Sequence, residues 1–142
     1  MKDDEVFVDT NILVYAYDTS AGEKYVRAAA IIKNLWKSGR GIISTQVLQE
    51  FFVTVTRKIA KPLDSSAAKQ IVKDYLVWKT IVVNGEIILE AIDILTDHKY
   101  SYWDSVIIAS AIEAGASKLF SEDLSDRQKI KSLTIENPFL DR

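Results

Sequence analysis

Four acidic residues, Asp9, Glu50, Asp104 and Asp123, stand where a carboxylate is hard to account for as surface decoration. Two of them follow short apolar runs, Val6-Phe7-Val8 before Asp9 and Leu119-Phe120 shortly before Asp123. Asp104 precedes Ile107, Ile108, Ala111 and Ile112 at helical spacing, so it shares the apolar stripe of its own helix. An ionised carboxylate leaves water only when it is paired, hydrogen-bonded or bound to metal, and no basic residue adjoins any of the four in the sequence. Gathered together, such oxygen donors suit Mg²⁺ or Mn²⁺, and the waters such an ion retains are a starting point for hydrolysis.

Taken singly, each acid has a plainer reading. Asp9-Thr10-Asn11 before an apolar run is an N-cap pattern, and Ser101-x-x-Asp104 is a capping box. Glu50 alone reads as a solvated helix residue, and Asp123 as part of a turn. The predicted elements decide between the readings. Glu5 to Val8 reads as a buried strand that hands over to a helix. Glu23 to Lys37 is an amphipathic helix with apolar positions Val26, Ala29, Ala30, Leu35 and Trp36, stopped by Ser38-Gly39-Arg40-Gly41. Ile42-Ile43 is a second strand, and Ser44-Thr45 caps a helix with Val47, Leu48, Phe51, Phe52, Val55 and Ile59 on its apolar face.

Further along, Ser65-Ser66 opens a helix, Thr80 to Val83 is a third strand, and Asn84-Gly85 turns the chain. Ile87, Ile88, Ala91, Ile92 and Leu95 outline the next helix, Ser101 starts the one that carries Asp104, and Gly115 stops it. Lys118 to Ser121 is a fourth strand and Leu133 to Glu136 a weak fifth. Alternating strands and helices predict an α/β fold in three α/β/α layers, a mainly parallel sheet of four to five short strands joined by right-handed crossovers. Ligands gather beyond the carboxyl ends of such strands. All four acids fall at that end, where two unit charges 4 Å apart cost about 4 kcal/mol at an effective dielectric near 20.

Composition bounds the rest. The 142 residues, 48% hydrophobic and 27% charged, predict one domain spanning 1–142. No run approaches membrane-spanning length and the acidic start is unlike a secretory signal, so a cytoplasmic location is expected. Zero cysteines and one histidine exclude disulfides, thiolate nucleophiles and zinc sites built on Cys or His. The net charge of −2 conceals a segment from Lys24 to Lys61 with eight basic residues against the single acid Glu50. That segment could steer a polyanion, with Lys24, Arg27, Arg40, Arg57, Lys58 and Lys61 as candidate contacts and binding that weakens as salt rises. His98 reads as a helix-end residue rather than a general base, and Trp36, Trp78 and Trp103 as packing residues rather than base-stacking platforms.

Four stretches resemble the PIN-domain nuclease family. Val6-Phe7-Val8-Asp9-Thr10-Asn11-Ile12-Leu13 is similar to the family's opening motif, and Glu50 to the helical glutamate after the second strand. Tyr102-Trp103-Asp104-Ser105-Val106-Ile107-Ile108-Ala109-Ser110-Ala111 resembles the third motif and Leu119-Phe120-Ser121-Glu122-Asp123-Leu124 the fourth. The resemblance implies Mg²⁺- or Mn²⁺-dependent hydrolysis of RNA, frequently by the toxin of a VapBC-type toxin–antitoxin pair, and a homodimer. By position it implies metal binding by Asp9, Glu50, Asp104 and Asp123, support from the hydroxyls of Thr10 and Ser121, a first turn held by Asn11, and Asp126 as an outer acid. Glu122, adjacent to Asp123, competes for the fourth ligand position. Leu48, Phe51, Phe52 and Val55 are either core or the lining of a groove for an antitoxin helix.

Three other functions compete. A phosphoacceptor receiver domain needs an aspartate at the end of a central strand and a lysine closing a later one, whereas the second predicted strand here ends in Ser44-Thr45. A haloacid-dehalogenase-type phosphatase needs a second aspartate where Asn11 stands. A catalytically silent PIN fold that binds RNA is the third.

Overall fold

A computed structural model describes residues 4–140. In chain order the elements are β1 (Val6–Val8), α1 (Thr10–Tyr15), α2 (Glu23–Ser38), β2 (Gly41–Ser44), α3 (Thr45–Arg57), α4 (Ser65–Tyr75), β3 (Lys79–Ile81), α5 (Gly85–His98), α6 (Tyr102–Glu113), β4 (Lys118–Phe120), β5 (Lys129–Ile130) and β6 (Leu133–Glu136). One turn of 3₁₀ helix (Thr19–Ala21) links α1 to α2.

The strands form one sheet in the order β3-β2-β1-β4-β6-β5, parallel except for the β5–β6 pair. β1 lies inside the sheet, and Val6, Phe7 and Val8 are all buried, as expected of a strand covered on both faces. Helix α6 packs against β2 and β4 on one side and α5 on the other, so Ser105 through Ala111 are buried without an alternating polar face. α1 packs on α2 and α3, and α3 on α4. Phe7, Ile42, Ile43, Leu119 and Ile135 meet at the centre, each with no exposed surface.

The α/β architecture and the parallel sheet match the expectation, and six strands replace the predicted four to five. β5 escaped because it is two residues long, with Lys129 exposed and only Ile130 buried. Asn84 does not turn the chain; its Oδ1 accepts the Ile87 N–H at 3.0 Å and caps α5. The inner face of α2 is Ala28, Ile32 and Leu35, while Val26 faces outward and Trp36, partly exposed, packs on Tyr75 and Trp78, because small and large apolar residues occupy both sides of this helix and only packing selects one. On α5, Ile87, Ala91 and Ile94 are buried and Ile88, Leu89, Ile92 and Leu95 are exposed. Trp78 is buried against Trp36 and Tyr75, as its packing role requires, whereas Trp103 is 64% exposed and touches Tyr102.

β2 can begin only where Trp78 leaves room. A Cβ on Gly41 would lie 2.4 Å from the Trp78 ring, which its neighbours Trp36 and Tyr75 hold in place. Overpacking of this kind costs about 1–3 kcal/mol. Gly41→Ala is therefore expected to lower stability by about that amount in urea denaturation, and a variant as stable as wild type would contradict the packing described.

Candidate functional site

The sheet order reverses direction at β1. The chain moves from β1 outward to β2 and β3, then returns on the other side to β4, which leaves a crevice beyond the carboxyl ends of β1 and β4. Asp9 immediately follows β1 and caps α1, its Oδ1 accepting the Thr10 N–H at 2.7 Å. Its Oδ2 accepts from Ser121 Oγ, just past β4, at 2.8 Å. The cap reading of Asp9 holds for one oxygen, and the other is left to bond Ser121 in the crevice.

α1 and α3 bring the second acid. Thr10 Oγ1 donates to Glu50 Oε1 at 2.7 Å across 40 residues of sequence. Gln46, one turn earlier on α3, reaches Glu50 Oε2 at 3.5 Å and the Trp103 carbonyl at 3.2 Å, so it ties α3 to the start of α6. There Ser101 Oγ accepts the Asp104 N–H at 3.1 Å and caps the helix. The Asp104 carboxylate itself has no hydrogen-bond partner among the described residues. Asp123, on the loop after β4, accepts from Asn11 Nδ2.

All four carboxylates line one cleft of about 420 Å³, with Thr10, Asn11, Thr54 and Lys58 among its other walls. None of the four forms an ion pair with a Lys or Arg among the described residues. The four are not drawn into a ready-made group of three around one point, because Glu50 and Asp123 are turned onto Thr10 and Asn11. The donor set nevertheless fits a hard divalent cation: every group is an oxygen, and none of the four carboxylates is ion-paired among the described residues. Sequence reading missed Gln46 and Thr54, and it named Lys58 as a phosphate contact without placing it beside the acids. Their spacing from Glu50, one turn before and one and two turns after, is the signal that would have found them.

Other candidates lie elsewhere. Asp126 accepts the Asn137 N–H at 2.8 Å and so holds the C-terminal segment rather than lining the cleft. Glu122 accepts from the Tyr15 hydroxyl at 2.7 Å and pairs with Lys24. Of the basic residues, Arg27 bonds Glu23 at 3.2 Å and the Phe139 carbonyl at 3.0 Å. Arg40 bonds the Asp4 carbonyl at 2.9 Å beside the start of β1, at the end of the sheet opposite the cleft. Lys58 lines the cleft, and Arg57 and Lys61 are exposed near it in sequence at the end of α3. The basic segment is therefore not one surface, because Lys24 is paired with Glu122 and Lys58 lines the cleft, whereas Arg40 lies at the opposite end of the sheet. His98 ends α5 and meets Gln128, away from the acids.

Burial pushes the Asp9 carboxyl up from 3.8 to about 6; the Ser121 and Thr10 hydrogen bonds oppose this, and the charges of Glu50 and Asp104 add to it. The folded protein thus holds this proton more tightly than the unfolded chain, so stability falls as pH rises from about 4 to about 6. At about 1.4 kcal/mol per unit, the loss is about 3 kcal/mol in the metal-free protein. Asp9→Asn carries no titrating group, and urea denaturation of the chelated variant is expected to lack that part of the slope; identical slopes would show that Asp9 is not so strained.

Comparisons with known proteins bear on the family and the fold. The model of the PIN domain family matches residues 6–128. Among solved structures, Mycobacterium tuberculosis VapC20, described as a Sarcin-Ricin loop cleaving toxin, superposes with a TM-score of 0.63 at 22% identity, covering 84% of this chain and 92% of that one. A toxin–antitoxin complex from Klebsiella pneumoniae gives 0.66 at 18% identity over 95% and 98% of the two chains. Rickettsia felis VapBC2, bound to a DNA fragment from its promoter, gives 0.64 at 21% over 93% and 97%. A search of curated proteins finds no match. With the family's model spanning nearly the whole chain and the same fold in these toxins, the protein belongs to the PIN-domain family.

Proposed function

We propose that this protein is a Mg²⁺- or Mn²⁺-dependent endoribonuclease and the toxin of a type II toxin–antitoxin pair. The observation that carries the reading is the convergence of Asp9, Glu50, Asp104 and Asp123, from the loops after β1 and β4 and from helices α3 and α6, on one cleft, with no ion pair to Lys or Arg among the described residues. Asp9, Glu50, Asp104 and Asp123 would hold the ion. When bound, such an ion lowers the pKa of a water, orients the scissile phosphate and neutralises charge on the leaving oxygen.

The chain's own residues prepare that chemistry. Ser121 and the Thr10 backbone fix both oxygens of Asp9, and the Thr10 hydroxyl fixes Glu50. Asn11 holds Asp123 at the rim. Lys58, two turns beyond Glu50, supplies positive charge for an RNA phosphate entering the cleft, and Arg57 and Lys61 extend it. Asp9→Asn and Asp104→Asn are expected to lower Mg²⁺- or Mn²⁺-dependent RNA cleavage at least about 100-fold while circular dichroism stays native. Full cleavage by either variant, or by wild type in excess chelator, would sink the assignment.

The partners follow from two apolar surfaces. A groove of about 560 Å³ between α3 and α4 is lined by Leu48, Phe52, Val53 and Val72 and shares Gln49 and Val53 with the acid cleft. An antitoxin segment seated there would cover the acids. Phe51 and Val55, the other candidates for that groove, are fully buried core. The outward residues of α5, Ile88, Leu89, Ile92 and Leu95, form a stripe suited to a second copy of the chain. Sedimentation velocity of the protein alone is expected to give a dimer, and Leu89→Lys a monomer; a monomeric wild type at micromolar concentration would refute this arrangement.

A further inference from the structure

The acid that competes with Asp123 for the metal has a different task. Helix α1 presents Asn11 and Tyr15, one turn apart on the same face, to consecutive residues of the loop after β4: Asn11 donates to Asp123, and the Tyr15 hydroxyl donates to Glu122 at 2.7 Å. The Glu122 carboxylate is closed from the other side by Lys24 of α2. Lys24 in turn lies 5.2 Å from the centre of the Tyr15 ring and 5.8 Å from that of Phe139, and the two rings meet edge to face at 5.4 Å. Asn137 Nδ2 reaches the Glu122 carbonyl at 3.5 Å.

Asp123 has no comparable anchorage, being exposed and held, among the described residues, by Asn11 alone. A rim ligand on a loop keeps its place only if a neighbour is fixed. We propose that Tyr15, Glu122 and Lys24 form a clamp that positions Asp123, so that Glu122 is a positioning residue and not a metal ligand. This rests on the nuclease reading above for its consequence, though the clamp itself stands on contacts independent of any ion. Groups that orient a metal ligand typically change affinity 10- to 100-fold when removed.

Two measurements test it. In metal-free protein, the Asn11 side-chain amide resonances report its bond to Asp123; Tyr15→Phe and Glu122→Ala are expected to move them toward solvent-like positions. In calorimetric titration with Mn²⁺, both variants should bind about tenfold more weakly, the double variant no worse than Glu122→Ala, and melting temperatures should change little. Glu122→Gln keeps an acceptor for Tyr15 and should stay within about threefold of wild type. Unmoved Asn11 resonances in Tyr15→Phe would overturn the clamp, and so would a Glu122→Gln variant as impaired as Glu122→Ala, the behaviour of a true ligand. A wild type that binds no Mn²⁺ would refute the metal reading instead, with the amide resonances still deciding the clamp.

Discussion

A carboxylate buried at the end of an inner strand of the sheet, with other carboxylates nearby and no base paired with it among the described residues, is the constraint on which this structure turns. Asp9 is almost fully buried and, among the described residues, has one hydroxyl and one backbone N–H as donors. Those two bonds lower its proton affinity, yet burial outweighs them. Burying an unpaired charge destabilises the fold, and a divalent cation of the kind proposed would relieve that cost at the point where it would act on a phosphate. In that reading the instability and the chemistry share one origin.

The surrounding elements keep this arrangement from collapsing. β1 and β4 are fixed as neighbours by their parallel register, which sets Ser121 beside Asp9. From Ser105 to Ala111 α6 is buried all round, so Asp104, just before that stretch, enters the cleft from a helix that has little freedom to move. α3 does two jobs with two faces: Val47, Phe51 and Val55 pack inward, while Gln46, Glu50, Thr54 and Lys58 recur every turn toward the acids. α1, only six residues long, binds Glu50 through Thr10 and the loop after β4 through Asn11 and Tyr15. Short as it is, it links three parts of the site.

Much of the fold was legible because it is encoded locally. Apolar runs of three or four residues, caps such as Ser44 and Ser101, and the left-handed glycines at 39 and 115 specify where elements start and stop. Less legible were features with weak local signals. β5 has only two residues and exists by pairing with β6, and the inward face of α2 depends on which of two apolar sides meets the sheet. Trp103 looked like a core residue by type, but its place in the first turn of α6 leaves it in solvent.

The sequence by itself determined the inventory: oxygen donors only, four acids after strand ends or in helix starts, and a chain able to build one parallel sheet. Those properties follow from residue type and from periodicity along the backbone, which are local. Only the tertiary structure decided which neighbours each acid has. It separated Glu122 from Asp123, sending one to Tyr15 and Lys24 and the other to Asn11. It also divided the basic segment between the cleft and the far end of the sheet, placing Lys58 at the acids and Arg40 beside the start of β1. Adjacency in sequence fixes neither direction nor distance in space; the order of strands and the packing of α1 and α3 across them do.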